Sequence, residues 1–267
     1  MSEELYSTQP PYTKPVELEP QPNIWGAWAS FGLGLAIVVL ALIVSEALVQ
    51  IGFLIAKMTA NPQIDTTEYL ENIPSNGLVL SLSSIASFVS GMGLIFLFVR
   101  LKGNNNFIDY LGLRLINWKI ALYGFAFFLL AFFMDTAFAV FYKYLIGPSN
   151  NAENSSFMID AYSSAGWLPL LWIAIAVLTP IFEESLFRGF LFAGLQRSQL
   201  GVAGAIIITS LTWALLHMQY NLFGMLSILL LGIVLGFARY KTGSLWTPII
   251  VHILWNLVAL LGTALSL

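Results

Sequence analysis

Residues 167–196 read WLPLLWIAIAVLTPIFEESLFRGFLFAGLQ. About 20 predominantly apolar residues are enough for a helix to cross a bilayer. This run is longer, yet its interior holds Glu183, Glu184 and Arg188. A charge at membrane depth costs about 2.5–3.5 kcal/mol on insertion scales, so each of these groups needs a partner or a task. Pro180 lies in the same run and predicts a kink, or a break into two helices, because proline removes a helical donor and crowds the preceding turn.

The rest of the chain agrees with a membrane reading. Of 267 residues, 58% are hydrophobic and 9% charged, against roughly 45–50% and 25% in an average soluble domain. The mean hydropathy is +0.82. Apolar stretches of spanning length fall at 26–54, 77–99, 119–146, 167–196, 202–218, 222–239 and 244–266. The expected fold is therefore all-α, a polytopic transmembrane helical bundle of seven spans, or eight if the chain breaks at Pro180. Residues 1–24 are acidic and proline-rich with no apolar core, which predicts a disordered tail rather than a signal peptide. Helices over 25–160 form an N-terminal part, and 161–267 is a compact second part where the unusual residues gather.

Orientation follows from the cations. With the N-terminus cytoplasmic, the inner segments carry Lys14, Arg100, Lys102, Arg114, Lys119, Arg197, Arg239 and Lys241, and the outer ones only Lys57 and Lys143. The absence of cysteine excludes disulfides, thiolate metal sites and cysteine nucleophiles. A net charge of −3 with no basic stripe gives no nucleic-acid signature. The lipid bilayer is the expected partner.

Glu184 and Arg188 are four residues apart, so on a helix they share a face and pair. Glu183 points about 100° away and is left without that partner, which suits it to work as a general base. The competing reading is an ion pair that only fixes helix packing. Both histidines of the chain lie in apolar sequence, in Trp213-Ala-Leu-Leu-His217 and His252-Ile-Leu-Trp-Asn256. Each pair is spaced i, i+4, so each is expected on one helix face. At 1.5 Å per residue Glu183 lies about 21 Å from Arg197, His217 about 24 Å from Gly201, and His252 about 16 Å from Lys241. Those depths let the three groups meet within the bilayer. Asp135 is expected to pair with a polar group on a neighbouring helix, and Glu46 to reach water at the end of its own. The run Phe125–Phe133 is expected to face lipid and pack the core rather than form a ligand box, and Trp25, Trp28, Trp118, Trp167 and Trp246 to anchor span ends.

Glu183-Glu184-x-x-x-Arg188, then aromatic-x-x-x-His217, then His252-x-x-x-Asn256, on successive membrane helices, resembles the CPBP family of intramembrane proteases. That family includes type II CAAX prenyl endopeptidases and the bacterial Abi, or bacteriocin self-immunity, proteins. The resemblance covers about 165–260, and the family usually has Phe where this chain has Trp213. It implies a helical core over 161–267 with a water-accessible catalytic site. In that site Glu183 and His217 would activate water, His252 and Asn256 would stabilise the oxyanion, and Glu184 and Arg188 would support Glu183. The implied substrate is a membrane-associated protein or peptide, of the prenylated CAAX or the bacteriocin kind, and the compact cysteine-free chain suits a prokaryotic cytoplasmic membrane. Glu183, His217 and His252 also make a three-ligand zinc set with an open position, so zinc stands beside a metal-free glutamate mechanism.

Two other classes compete. A proton-coupled transporter would also place Glu, Asp, His and Arg in the membrane, but the chain shows no duplicated pair of broken segments. A non-catalytic immunity or scaffold protein on the same fold would tolerate Glu183→Gln.

Overall fold

The computed structural model describes residues 23–103, 106–114, 116–147 and 151–267. The tail expected over 1–24 lies outside them, save its last two residues. Among the described residues six helices are long and apolar enough to cross a membrane. These are α1 (Ala27–Ala60), α3 (Gly77–Leu101), α5 (Trp118–Ile146), α7 (Leu168–Leu195), α9 (Leu222–Thr242) and α10 (Trp246–Ser266). Shorter helices join them: α2 (Thr66–Asn72), α4 (Phe107–Leu111), α6 (Asn151–Ser163) and α8 (Gly201–Leu215).

Asparagine starts four of these helices. Asn76, Asn106, Asn117 and Asn221 each accept a hydrogen bond from a backbone N–H of the following first turn, satisfying donors that a helix leaves without an internal partner. Gly243 ends α9 in the left-handed region at φ 63°, where glycine has no Cβ to clash, and the chain turns directly into α10. That turn is tied down across the bundle, for Leu245 N–H donates to the carbonyl of Gly112 at 2.9 Å.

The segment expected at 202–218 is shorter than it reads. Its helix stops at Leu215, and residues 216–219 form turns. Leu216 N–H bonds back to Trp213 O and His217 N–H to Ala214 O, tightening the end of the helix. At the other extreme α1 continues to Ala60, beyond the expected residue 54.

The helix α7 is the axis of the bundle. Half of its most apolar window is buried, compared with 11% for α5. Burial is what turns its three charges inward. Phe125, Phe132 and Phe133 on α5 are exposed, as are Trp28, Trp118 and Trp167. One apolar core includes Ile37 of α1, Ile95 of α3, Phe182 and Leu186 of α7, and Leu235 of α9. At Gly91 of α3 any side chain would collide with the ring of Phe182, so this glycine sets how closely α3 approaches the residue beside Glu183.

Pro180 does not break α7. The helix is wound into π turns at Ala174–Leu178 and again at Ser185–Leu191, and the wider winding carries the chain past the proline. Leu168–Leu195 is therefore one continuous span rather than two.

Candidate active site

Glu183 and Glu184 sit between the two π turns of α7. Glu184 and Arg188 are both wholly buried and bonded Oε1 to Nη1 at 3.0 Å, as their spacing predicts. Arg188 reaches further, donating from Nη2 to the carbonyl of Gly232 at 3.0 Å. A Cβ at Gly232 would lie 3.1 Å from that nitrogen, so the approach of α9 depends on a residue without a side chain. The guanidinium also lies 4.8 Å from the centre of the Trp213 ring, within the range of a cation–π contact.

His252 of α10 brings Nδ1 to 3.0 Å from Glu184 Oε1. One carboxylate oxygen thus holds both Arg188 and His252. The other nitrogen of His252 stands 3.9 Å from Glu183 Oε2, beyond hydrogen-bond reach. The support expected of Glu184 and Arg188 is therefore directed at His252, and Glu183 reaches neither of its charged neighbours by a hydrogen bond.

Glu183 has a different partner. Trp213 of α8 donates its indole N–H to Glu183 Oε2 at 2.8 Å. The ring of Trp213 meets both histidines edge-on, with centroids 5.2 Å from His217 and 5.1 Å from His252. Trp213 is thus the part that joins the three motifs. A phenylalanine here would keep the ring contacts and lose the donor.

His217 lies in the turn after α8 rather than on the helix face it was expected to share with Trp213. Its Nδ1 is 2.8 Å from the Trp213 carbonyl, and a carbonyl only accepts, so Nδ1 carries the proton and Nε2 is left as an acceptor. Among the described contacts none joins His217 to Glu183 directly.

Asn256, one turn beyond His252, shares with it the face of α10 that meets α7. Its Nδ2 donates to the carbonyl of Ile175 at 2.9 Å, inside the first π turn. The register of that turn explains the partner. Thr179 N–H bonds to Ala174 O, five residues back, so the next donor would be residue 180 and its acceptor Ile175. Residue 180 is proline and has no N–H. The Asn256 side chain supplies the missing donor.

Tyr220, between α8 and α9, is a site neighbour that no sequence motif marks. Its ring stacks on His217 with centroids 6.3 Å apart and planes 11° apart, and it meets Phe157 of α6 edge-on at 6.2 Å. Burial, and secondarily the negative charge of Glu183, raise the phenol above its ordinary range. Asp135 lies near Ser227 of α9, but Asp135 Oδ1 and Ser227 Oγ are both buried without a hydrogen-bond partner among the described residues, so the pairing expected of Asp135 is not formed. Exposed Glu46 accepts from Gln50 on its own helix at 3.1 Å.

Among the described residues no three His, Asp or Glu side chains converge closely enough to hold a metal ion. Glu183, His217 and His252 as placed do not close into the three-ligand set that zinc requires.

Comparison with known proteins gives the same address. The model of the family described as "Type II CAAX prenyl endopeptidase Rce1-like" matches residues 165–258. The "Putative membrane peptidase YdiL" of Bacillus subtilis is 27% identical over 180 residues, 66% of this chain and 68% of that one. An "Uncharacterized 24.3 kDa protein" of Escherichia coli is 31% identical over 124 residues, 43% of this chain and 56% of that one. No solved structure matches the chain. The matched stretch begins just before α7 and ends just after Asn256, enclosing every residue of the cluster. Over residues 165–258 this integral membrane protein is similar to the type II CAAX prenyl endopeptidase Rce1-like family.

Proposed function

We propose that the protein is an intramembrane endopeptidase in which Glu183 and His217 activate a water molecule. The observation that carries this reading is the division of the paired carboxylates. Glu184 neutralises Arg188 and holds His252, whereas Glu183 accepts only the Trp213 N–H on Oε2. Among the described residues Oε1 of Glu183 accepts nothing, so it is the oxygen available to take a proton from water. His217, its Nδ1–H on the Trp213 carbonyl, presents Nε2 as the second acceptor.

Amide hydrolysis also needs donors where negative charge develops on the carbonyl oxygen. His252 offers Nε2 on the side facing Glu183. When its ring is protonated, Nδ1–H stays on Glu184 and Nε2–H is free for the oxyanion. Asn256 holds the π turn through one amide hydrogen and keeps the second for the substrate. Collapse of the tetrahedral intermediate breaks the C–N bond, and the proton held by Glu183 or His217 passes to the departing amine. These steps use only side chains of the chain itself.

The substrate is a membrane-associated protein or peptide. The end of the bundle that gathers Lys102, Arg114, Lys119, Arg197, Arg239 and Lys241 is read as cytoplasmic, by the cation bias of membrane proteins.

The test compares new protein N-termini in cells producing the wild type, Glu183→Ala or His217→Ala at matched membrane levels. Termini present only with the wild type establish proteolysis. If Glu183→Ala, His217→Ala and His252→Ala all retain full cleavage, the site is wrong. Activity lost to a chelator and restored by zinc would overturn the metal-free scheme. A transporter would instead show substrate-linked proton flux, and a scaffold would keep its function as Glu183→Gln.

A further inference from the structure

At the cation-rich end of the bundle, where α5 begins and α9 ends, a cavity of about 530 Å³ opens to the surface. Its polar half is lined by Arg114, Asn117, Lys119 and Lys241, and its apolar half by Ile120, Tyr123, Phe127 and Phe237. Among the described residues no carboxylate lines it. Among the described residues none of Arg114, Lys119 and Lys241 forms an ion pair.

A preference for cations on one side of the membrane explains why lysine and arginine are found at this end, but not their convergence on one groove. Lys119, Tyr123 and Phe127 recur every four residues along α5, so the cationic rim and the aromatic wall form one stripe running into the membrane. On α9 the same order appears in reverse, with Lys241 Nζ 5.3 Å from the Phe237 ring centre. The stripes meet where Phe127 and Phe237 pack edge-to-face at 6.1 Å. Asn117 caps α5 through Oδ1, which leaves its NH2 donors for the rim. Behind the rim a fourth cation, Arg239, is buried, with hydrogen bonds to the carbonyls of Leu111 and Arg188, and it feels the like charge of Arg114.

We propose that this groove binds one anionic phospholipid, with its phosphate on Arg114, Lys119, Lys241 and the Asn117 amide and an acyl chain along Tyr123, Phe127 and Phe237. Like charges gathered without a counter-charge repel one another, and a phosphodiester supplies the missing anion with acceptor oxygens for every donor on the rim. The apolar half selects a lipid over a soluble phosphate, because it gains only when a hydrocarbon chain covers it. This inference is independent of the proteolytic reading.

Native mass spectrometry of the full-length protein in detergent, offered an equimolar mixture of phosphatidylglycerol and phosphatidylcholine with identical chains, tests it. The expected result is retention of one phosphatidylglycerol in preference to phosphatidylcholine. Each lysine contributes about fivefold in affinity, so Lys119→Gln/Lys241→Gln weakens retention roughly 30-fold. Lys119→Arg/Lys241→Arg keeps it, and melting temperatures of both variants show that the fold is intact. Equal retention of the two lipids, or unchanged retention by the Gln variant, overturns the proposal. Displacement of the lipid by millimolar inorganic phosphate also overturns it, assigning the rim to a free anion.

Discussion

The indole N–H of Trp213 rests 2.8 Å from Oε2 of Glu183, across 30 residues of sequence. A hydrogen bond to a charged group is worth about 1.5–3 kcal/mol, and this one fixes which oxygen of Glu183 is occupied. Trp213→Phe keeps an aromatic ring between His217 and His252 but removes the donor. The expected outcome is a folded protein with kcat lowered about 10- to 100-fold and KM little changed. Steady-state cleavage of a peptide identified by the N-terminus comparison measures it, and an unchanged kcat would show that the bond is not used.

The Asn256 side chain and Pro180 form a testable pair. Asn256→Ala strands the Ile175 carbonyl, which costs about 1–3 kcal/mol of stability. In a Pro180→Ala background residue 180 regains its N–H and can serve the same carbonyl, so the cost of Asn256→Ala falls. A double-mutant cycle on unfolding in detergent reads the coupling. Additive effects would show that Asn256 acts only elsewhere.

Removing one partner of the Glu184–Arg188 pair leaves a buried charge alone, which costs about 3–5 kcal/mol. Arg188→Met is therefore expected to fold poorly. Glu184→Gln/Arg188→Met removes both charges and is expected to recover stability without activity, because His252 no longer has its anionic anchor. Thermal unfolding and cleavage assays on the same preparations separate the two effects.

Tyr220 gives the pH prediction. Its phenol is raised by burial first and by the Glu183 charge second, so the folded protein favours the neutral form. Its stabilising contribution is complete below the unfolded pKa of about 10 and is lost as pH rises through the higher folded value. Phenolate absorbance of the wild type minus Tyr220→Phe follows this group. In Glu183→Gln the transition moves to lower pH, since one of the two causes is gone. No movement would place Tyr220 outside the field of Glu183.

Much of the fold and part of the site could be read from the residues. The spans announce themselves by hydrophobicity, and Glu184 with Arg188 by the helical repeat. His252 and Asn256 share a face because α10 is regular throughout. What escaped the reading depends on departures from regularity. The end of α8 at Leu215 comes from a tightened last turn in predominantly apolar sequence with no helix-breaking residue, so His217 reads as helical and is not. The π turns shift α7 by a fraction of a turn that no hydropathy pattern records, which hides the partner of Asn256. The attachment of His252 to Glu184 rather than Glu183 depends on the relative rotation of two helices. Tyr220 carries no motif, and only its ring contact with His217 marks it.

The two π turns of α7 have a consequence for how this helix can vary. Each holds one residue more than an α-helical path would need, and that residue rotates everything after it by about 100° relative to an unbroken α-helix. The glutamates lie between two such offsets, so their bearing is set by a count of residues on either side as well as by their identity. A one-residue deletion within 174–178 would leave both glutamates, both histidines and the apolar character of the helix in place. It would still turn Glu183 and Glu184 away from the helix segment that Asn256 grips. Point substitutions along this stretch change what the helix presents, whereas single-residue deletions change the direction in which it presents it.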